Sequence, residues 1–544
     1  MYPFALSSSA SEHWLDGLAV IVMAVTGLVA LATFRDYGLG WDDYAHAQMG
    51  EHLLSLYGSG FRDTQALSFV NLYMYGGGFD MVAALAAKIL PFTLFETRRL
   101  AGAAVGIIGL FVVWRMGRRV GGPVAGLLAV LLLATCPLYY GHMFINSKDA
   151  PFAVAVAILL YGVVRLLEEF PRPTPAAVLL FGAGLGLTIG TRVMGVIVAA
   201  YAAAALLFLV VHHLKANGPR VALAQVGQFS LALLPGFAFA YLLMGLLWPW
   251  SVLSPLNPVK AAEYFSVFFE KPWREVFEGR LIAVPDMPAT YLPVQLGIQL
   301  PEILIVLAIA GVALSIWRTW KISAPASQRA VFILLVASLV FPVVLAMVTR
   351  PAMYNGARHF VFLLPSMAVL GGIAGAWLFE QAARFGRPAF YGAAAVTAIA
   401  VISPIIAMAR LHPYEYTHFN RIEGGVRAAQ NRYMLDYWGL SFKQAAQQLR
   451  AKLVQRLEVP PHGRKWKIAV CGPHPPAAVE LGPEFELTWD STGADFALML
   501  GVYYCMDMRA PVLAEVARQG VTYARAYDIR ERSVSSILTT PPPQ

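Results

Sequence analysis

The chain has 544 residues, is 58% hydrophobic and only 13% charged, and carries a formal net charge of +9. Soluble folds run at about 45–50% apolar and about 25% charged, so these proportions exclude an ordinary soluble protein and point to a bilayer. The positive charge would suggest nucleic acid in a soluble chain, but here many of the basic residues lie in short connectors between apolar runs and are read as a signal of membrane orientation.

Apolar runs long enough to cross about 30 Å of hydrocarbon recur from Leu18 to Ala409. The first, near 14–34, lacks a basic leader and a small-residue cleavage site and is read as a retained span. It is followed by "GLGWDDYAHAQMGEHLLSLY", in which Ala45, Met49, Leu53 and Leu56 recur at helical spacing. One aspartate here makes a good helix cap. The pair Asp42 and Asp43 is not explained that way: adjacent carboxylates at a membrane edge repel and lose solvation unless a cation, a proton or a substrate group offsets them. A catalytic role is therefore expected. The next stretch, "YMYGGGFDMVAALAAKILPF", has an apolar core of about 14 residues and is predicted to lie in the interface, not to cross it.

Ten further spans are predicted near 97–114, 122–140, 150–168, 174–190, 193–213, 222–248, 300–317, 330–349, 360–382 and 390–409, giving eleven in all. The connectors "WRMGRRVGG", "RLLEEFPRP", "HHLKANGPR", "WRTWKISAPASQR" and "RFGRP" are short and basic, which marks them and the N-terminus as cytoplasmic. The loops 35–96 and 249–299, the turns near 148, 192 and 355, and the tail from 411 then share the opposite face.

On that face "YYGHMFINSKDAPFAVAVA" carries Lys148 and Asp149. Asp followed two residues later by Pro is a good helix start, which leaves Lys148 unexplained; with Asp42 nearby, the two suit an anionic ligand, a metal, or both. The stretch 174–213 is interrupted by "TIGTRVMG". An arginine at the bilayer centre costs about 2.5–3.5 kcal/mol, so Arg192 is predicted at an outer turn between two short spans. The long loop "SPLNPVKAAEYFSVFFEKPWREVFEG" suits an interfacial helix over a cavity or a passive anchor. Last, "RPAMYNGARHFVFLLP" sets Arg350, Arg358 and His359 at outer span ends. Arginines there either snorkel to headgroups or, with Lys148 and Arg192, form a cationic group matched to phosphate.

The tail opens with "HPYEYTHFN" and "DYWGLSFKQAAQQLRAKL" and continues through short strand-like runs such as "KIAVCG" and "ADFALMLG", predicting a small α/β domain over 411–544. Cys471 and Cys505 either pair in an oxidising compartment or stand as two separate buried thiols, the default taken here. "GRRVGG" and "YGGGF" lack the context of a phosphate-cradling loop, and no H-E-x-x-H or paired C-x-x-C indicates a closed zinc site.

The order of "WDD", "INSKDAPFA", "GTRVMG" and "NGARHF" over roughly residues 14–410 resembles the GT-C class of membrane glycosyltransferases, in the group that includes protein O-mannosyltransferases and lipid A aminoarabinose transferases. The resemblance implies a polytopic α-helical membrane protein over 1–410 with a small soluble α/β domain. It implies transfer of a sugar from a polyprenyl-phosphate carrier to a lipid, glycan or protein hydroxyl, inverting by single displacement, on the extracytoplasmic face of a bacterial inner membrane. Membrane lipids, but not nucleic acid, are further partners. By position, Asp42 matches the acid that acts as base or orients the acceptor, Asp43 stands where relatives commonly have Glu, and Asp149 matches the second acid. Lys148, Arg192, Arg358 and His359 are expected to bind the donor phosphate, and His142, Tyr354 and Asn355 to line the substrate cavity. Some members use a divalent ion, Mg or Mn, which Asp149 and Asp43 would hold; the D-x-D spacing is absent, and Lys or Arg is the alternative. The chemistry agrees independently: displacing phosphate at an anomeric carbon needs a carboxylate near the incoming hydroxyl and fixed positive charge on the leaving group.

Two other classes compete. A transporter or flippase of a lipid-linked anion predicts charges deep within spans and corresponding halves, and neither is evident. A membrane anchor with a working tail is weakened by the lack of a convincing catalytic set in that tail.

Overall fold

Hydrocarbon offers no water to satisfy backbone N–H and C=O groups, so an apolar chain crosses it as helices that bond internally. The computed structural model describes residues 9–266, 273–321, 324–505 and 507–538 and is built this way through residue 411. Its elements are α1 (Ser9–Thr33), α2 (Asp43–Gly58), α3 (Gly78–Ala87), α4 (Leu94–Ala134), α5 (Pro137–Ile145), α6 (Asp149–Glu168), α7 (Pro175–Ile189), α8 (Ile197–Asn217), α9 (Pro219–Leu247) and α10 (Asn257–Ser266). A hairpin of β1 (Arg274–Phe277) and β2 (Arg280–Ala283) follows, then α11 (Tyr291–Gln299), α12 (Glu302–Trp320), α13 (Ala326–Thr349), α14 (Leu364–Arg384) and α15 (Arg387–Leu411).

Among the described residues nine helices are long and apolar enough to cross a membrane. Two features connect them with the eleven predicted segments. The 41 residues of α4 are two helices that reverse at Gly122, whose φ of +84° precedes Pro123. A Cβ on Gly126 would lie 3.0 Å from the Trp114 carbonyl oxygen, so the two halves run back along each other. They match the predicted segments 97–114 and 122–140. The 15 residues of α7 rise only about 22 Å, and its glycines press it against its neighbours: a Cβ on Gly184 would meet Leu159 Cα at 2.4 Å. α3, with 10 residues, rises about 15 Å, half the hydrocarbon thickness, and fits the interfacial reading. In the loop 249–299, α10 is the helix that follows the membrane-sized α9, while residues 267–272 lie outside the described residues.

α14 is the most enclosed of the long helices and packs on α4 and α12, whereas α15 leaves Val396 and Ile399 uncovered on the outside, as a lipid-facing helix does.

The tail contains α16 (Gly425–Ala429), α17 (Phe442–Gln455), β3 (Trp466–Cys471), α18 (His474–Leu481), β4 (Phe485–Thr488), β5 (Phe496–Leu500), β6 (Val512–Arg518) and β7 (Val521–Asp528). The strands form one sheet in the order β4-β3-β5-β7-β6, parallel around β3 and antiparallel around β7. One expectation fails here: Cys471 and Cys505 form a disulfide, with Cα atoms 5.6 Å apart, and are not separate thiols. They are 34 residues apart, and what joins them is the parallel pairing of β3 with β5, a long-range contact. Only Cys136 is free.

The tail is fastened to the membrane region. The Trp41 amide donates to the Trp438 carbonyl (3.2 Å), the Asn420 side-chain Nδ2 to the Leu300 carbonyl (2.8 Å), and the Tyr503 hydroxyl to the Arg274 carbonyl (2.7 Å).

Candidate active site

A cavity of about 360 Å³ opens where the α1–α2 turn, the turn before α6, the break between α7 and α8, the segment before α14 and the tail converge. Asp42, Lys148, Asp149, Arg192, Tyr354, Asn355, Arg358 and His359 all line it, although they are up to 317 positions apart in the chain. Asp43 and His142 do not.

The α1–α2 turn is glycine-rich because the tail passes over it. A Cβ on Gly40 would lie 1.8 Å from Cδ1 of Trp438. The turn then divides the two aspartates. Asp43 accepts from the Gly40 amide (2.8 Å) and takes both oxygens into a fork with Arg99 (2.5 and 2.9 Å), a fully buried pair. Successive helical residues point about 100° apart, so the turn that buries Asp43 aims Asp42 elsewhere. Asp42 precedes α2 but makes no side-chain cap bond. Its carboxylate lies 3.6 Å from Lys148 Nζ with 39% of its side-chain surface open. Enclosure by protein favours the neutral acid, yet Lys148 and Arg358 outweigh it and hold Asp42 at about 2. Burial alone would lower the Lys148 ammonium; the Asp42 carboxylate turns the balance and raises it.

Asn146 organises the next turn. Its Oδ1 accepts from the amides of Lys148 (3.1 Å) and Asp149 (2.8 Å), closing the turn that leads from α5 into α6. Its Nδ2 donates to Asp149 (2.9 Å) and approaches His142 Nδ1 (3.1 Å). His142 is thereby fixed behind the wall, with its Nε2 3.2 Å from the Tyr437 hydroxyl. Asp149 is ion-paired with Arg192, which stands in the break between α7 and α8 as predicted. The Tyr75 ring lies beneath both cations, 4.9 Å from Lys148 Nζ and 5.8 Å from Arg192 Cζ.

Arg358 is only 8% exposed and has no carboxylate within ion-pair distance among the described residues. It is held instead between two rings, 4.6 Å from Tyr354 and 4.9 Å from Trp438. His359 packs edge-on against Tyr354 (4.8 Å). Arg350, by contrast, is exposed at the left-handed end of α13, φ +45°, and takes no part in the cavity. The cavity thus sets three permanent cations against two carboxylates, one of which is already paired.

A metal does not fit these donors. Asp43 is engaged by Arg99, Asp149 by Arg192 and Asn146, and no group of three or more His, Cys, Asp or Glu side chains could hold an ion among the described residues.

Several lining residues escaped the sequence reading. Tyr437 and Trp438 come from "DYWGLS", a tail motif with no chemical signal of its own. It is shaped by Asp436, whose carboxylate accepts from the amides of Gly439, Leu440 and Ser441 (2.9–3.0 Å). Glu275, on β1, is fully buried and accepts from the Tyr291 hydroxyl (2.7 Å) and the Asn355 amide (2.5 Å), steadying the strained turn at Asn355 and Gly356. Burial pushes Glu275 up to about 7, although these donors and Arg358 pull the other way. His46 also lines the cavity.

Residues 78–242 match the family model for dolichyl-phosphate-mannose-protein mannosyltransferase. No curated protein matches the sequence. Among solved structures, the apo oligosaccharyltransferase of Archaeoglobus fulgidus is similar over 90% of this chain at 13% identity with a TM-score of 0.52; the chain spans 66% of that protein's length. The oligosaccharyltransferase AglB of the same organism, in complex with an inhibitory peptide and a dolichol-phosphate, is similar over 85% of this chain and 63% of its own at 12% identity, TM-score 0.51. Apo ArnT from Cupriavidus metallidurans is similar over 95% of this chain and 98% of its own at 15% identity, TM-score 0.49. The chain shares the fold of the archaeal oligosaccharyltransferase, that of the GT-C class of membrane glycosyltransferases, and within it carries a segment similar to the dolichyl-phosphate-mannose-protein mannosyltransferase family.

Proposed function

We propose that this protein transfers a sugar from a polyprenyl-phosphate carrier to an acceptor hydroxyl by a single, inverting displacement. The observation that carries the reading is Arg358, a buried guanidinium without a carboxylate partner among the described residues, in the same cavity as the open carboxylate of Asp42. Asp42 and Asp149 act on this cation only across the cavity, and a phosphate supplies a direct partner with geometry that matches the guanidinium fork.

Arg358, Lys148 and Arg192 meet the charge that grows on the leaving phosphate, which lowers the barrier to breaking the bond at the anomeric carbon. Asp42 accepts from the acceptor hydroxyl and aligns its oxygen for attack from the opposite side. Asp149 acts indirectly, by holding Arg192 in place. Tyr75, Tyr354 and Trp438 offer ring faces against which a sugar can lie. The similar AglB structure holds a dolichol-phosphate, and the similar oligosaccharyltransferase of the same organism is tethered with an acceptor peptide, which supports a lipid-linked donor for this chain and a cavity that admits an acceptor. The disulfide and the basic connectors support an extracytoplasmic site.

The test is mass spectrometry of envelope glycans and lipids from a deletion strain, complemented with the wild type or with Asp42→Asn. A modification lost on deletion and restored by the wild type names the acceptor and bounds the sugar. Asp42→Asn is expected to reach normal membrane levels and restore less than about a hundredth of it. Full restoration by Asp42→Asn would remove the central assignment.

A further inference from the structure

A carboxylate–imidazole pair stands beside Asp42. The His46 amide donates to the Asp42 carbonyl (3.0 Å), so the histidine follows one helical turn later on the same side of α2. Its ring lines the cavity while remaining 2% exposed. The Nδ1–H donates to Oδ2 of Asp80 at 2.6 Å, and the other oxygen of Asp80 accepts from Nη2 of Arg98 at 2.7 Å. Asp80 and Arg98 are buried as well.

The bond at Nδ1 fixes the tautomer and leaves the basic lone pair on Nε2. Nε2 is enclosed yet has no hydrogen-bond partner among the described residues. A histidine that only filled the core would be expected to satisfy both nitrogens, since an orphaned buried polar atom is costly. Here one nitrogen is anchored by a buried ion pair and the other is enclosed and unpartnered, in a residue that borders the cavity.

We propose that His46 is the proton acceptor behind Asp42 in sugar transfer, an inference that rests on reading the cavity as a glycosyl-transfer site. Asp42, held low by its cationic neighbours, binds a hydroxyl well but does not retain its proton near neutral pH. In the step, the acceptor oxygen bonds the anomeric carbon as the bond from that carbon to the carrier's phosphate oxygen breaks. The bonding pair leaves with the phosphate. Nε2 of His46, unpartnered among the described residues, takes the hydroxyl proton from Asp42 once the bound substrates bring the two side chains into hydrogen-bond contact, and releases it to water when the products depart. Asp80 keeps the ring oriented and stabilises the imidazolium that forms.

The test uses membranes from the deletion strain carrying each variant, with transfer read as the glycan that deletion removes. His46→Asn places an amide near Nδ1, so the bond to Asp80 persists while Nε2 is lost; transfer is expected to fall about a hundredfold, with undecaprenyl phosphate bound as by the wild type. His46→Ala is expected to fall as far and to recover in a concentration-dependent way with imidazole in the buffer, whereas Asp42→Asn does not recover. Wild-type transfer by His46→Asn, or a deficit in His46→Ala that imidazole leaves unmoved, overturns the proposal. If either substitution lowers the amount of folded protein, the wild type is treated with diethyl pyrocarbonate. Loss of transfer should then track modification of His46 in peptide maps and reverse with hydroxylamine; complete modification with transfer retained overturns the proposal. An active Asp42→Asn would mean that the reading of the cavity fails, whereas an inactive Asp42→Asn beside an active His46→Asn means that only the relay fails.

Discussion

Replacing Arg358 with glutamine separates binding from stability. The guanidinium is 8% exposed, and its described contacts are the rings of Tyr354 and Trp438. If it grips the carrier phosphate through two charge-assisted bonds, each worth about 1.5–3 kcal/mol, Arg358→Gln loses about 3 kcal/mol of carrier affinity, roughly a hundredfold in Kd. The empty protein should behave differently. The lost ring contacts are worth about 1–2 kcal/mol and the attraction to Asp42 and Asp149 goes with them, while removing the buried charge returns desolvation of similar size, so its Tm should change little. The assay is binding of radiolabelled undecaprenyl phosphate to detergent-solubilised protein, with thermal unfolding recorded with and without carrier. At a hundredfold excess over Kd the carrier should stabilise the wild type by about 2.7 kcal/mol and barely affect the variant. Wild-type affinity in Arg358→Gln, together with a Tm drop like that of a core substitution, would show that Arg358 serves packing and would refute the reasoning.

Three further outcomes are expected. Glu275 sits at about 7 in the folded protein against an ordinary 4.5, so its contribution to stability is complete below about 4.5 and is lost as pH rises through 7, about 3 kcal/mol in all; Glu275→Gln should flatten that part of the Tm profile between pH 5 and 8. Gly40→Ala would drive a methyl to 1.8 Å from Trp438 and should cost about 1–3 kcal/mol while weakening carrier binding, whereas Gly17→Ala, with nothing within 4 Å, should do neither; equal Tm values for the two would contradict the close packing of tail on turn. Cys471→Ser with Cys505→Ser frees a loop closed across 34 residues and should cost about 4 kcal/mol, measured as a fall in Tm that reductant reproduces in the wild type and not in the variant.

Much of this architecture was legible because membranes enforce local rules. The eleven predicted apolar segments fall on helices, nine of which are long and apolar enough to cross a membrane among the described residues, and the reversal at Gly122 places two of the segments inside one element. Asp42, Lys148, Asp149, Arg192 and the Tyr354–His359 segment could be expected near one another because alternation of spans puts every second turn on one face. What was not legible depends on contacts across sequence. Nothing local says that Arg99, inside an apolar run, removes Asp43 from the cavity, nor that Asp80 orients His46. Trp438 and Glu275 reach the site through tail docking and a two-stranded hairpin, whose partners are set by tertiary packing. The disulfide is hidden from the sequence for the same reason: spacing along a chain does not reveal which strands lie side by side.

The place of Trp438 in the wall also sets an order of events during synthesis. The last membrane-sized helix ends at Leu411, and the indole that stacks on Arg358 is encoded 27 positions later. A ribosome therefore finishes every candidate span before the chain can close its own cavity. Until the tail has folded back onto the α1–α2 turn, the newly inserted protein holds its cations around an unroofed pocket, so a fragment cut after residue 411 can occupy the bilayer without having a finished site.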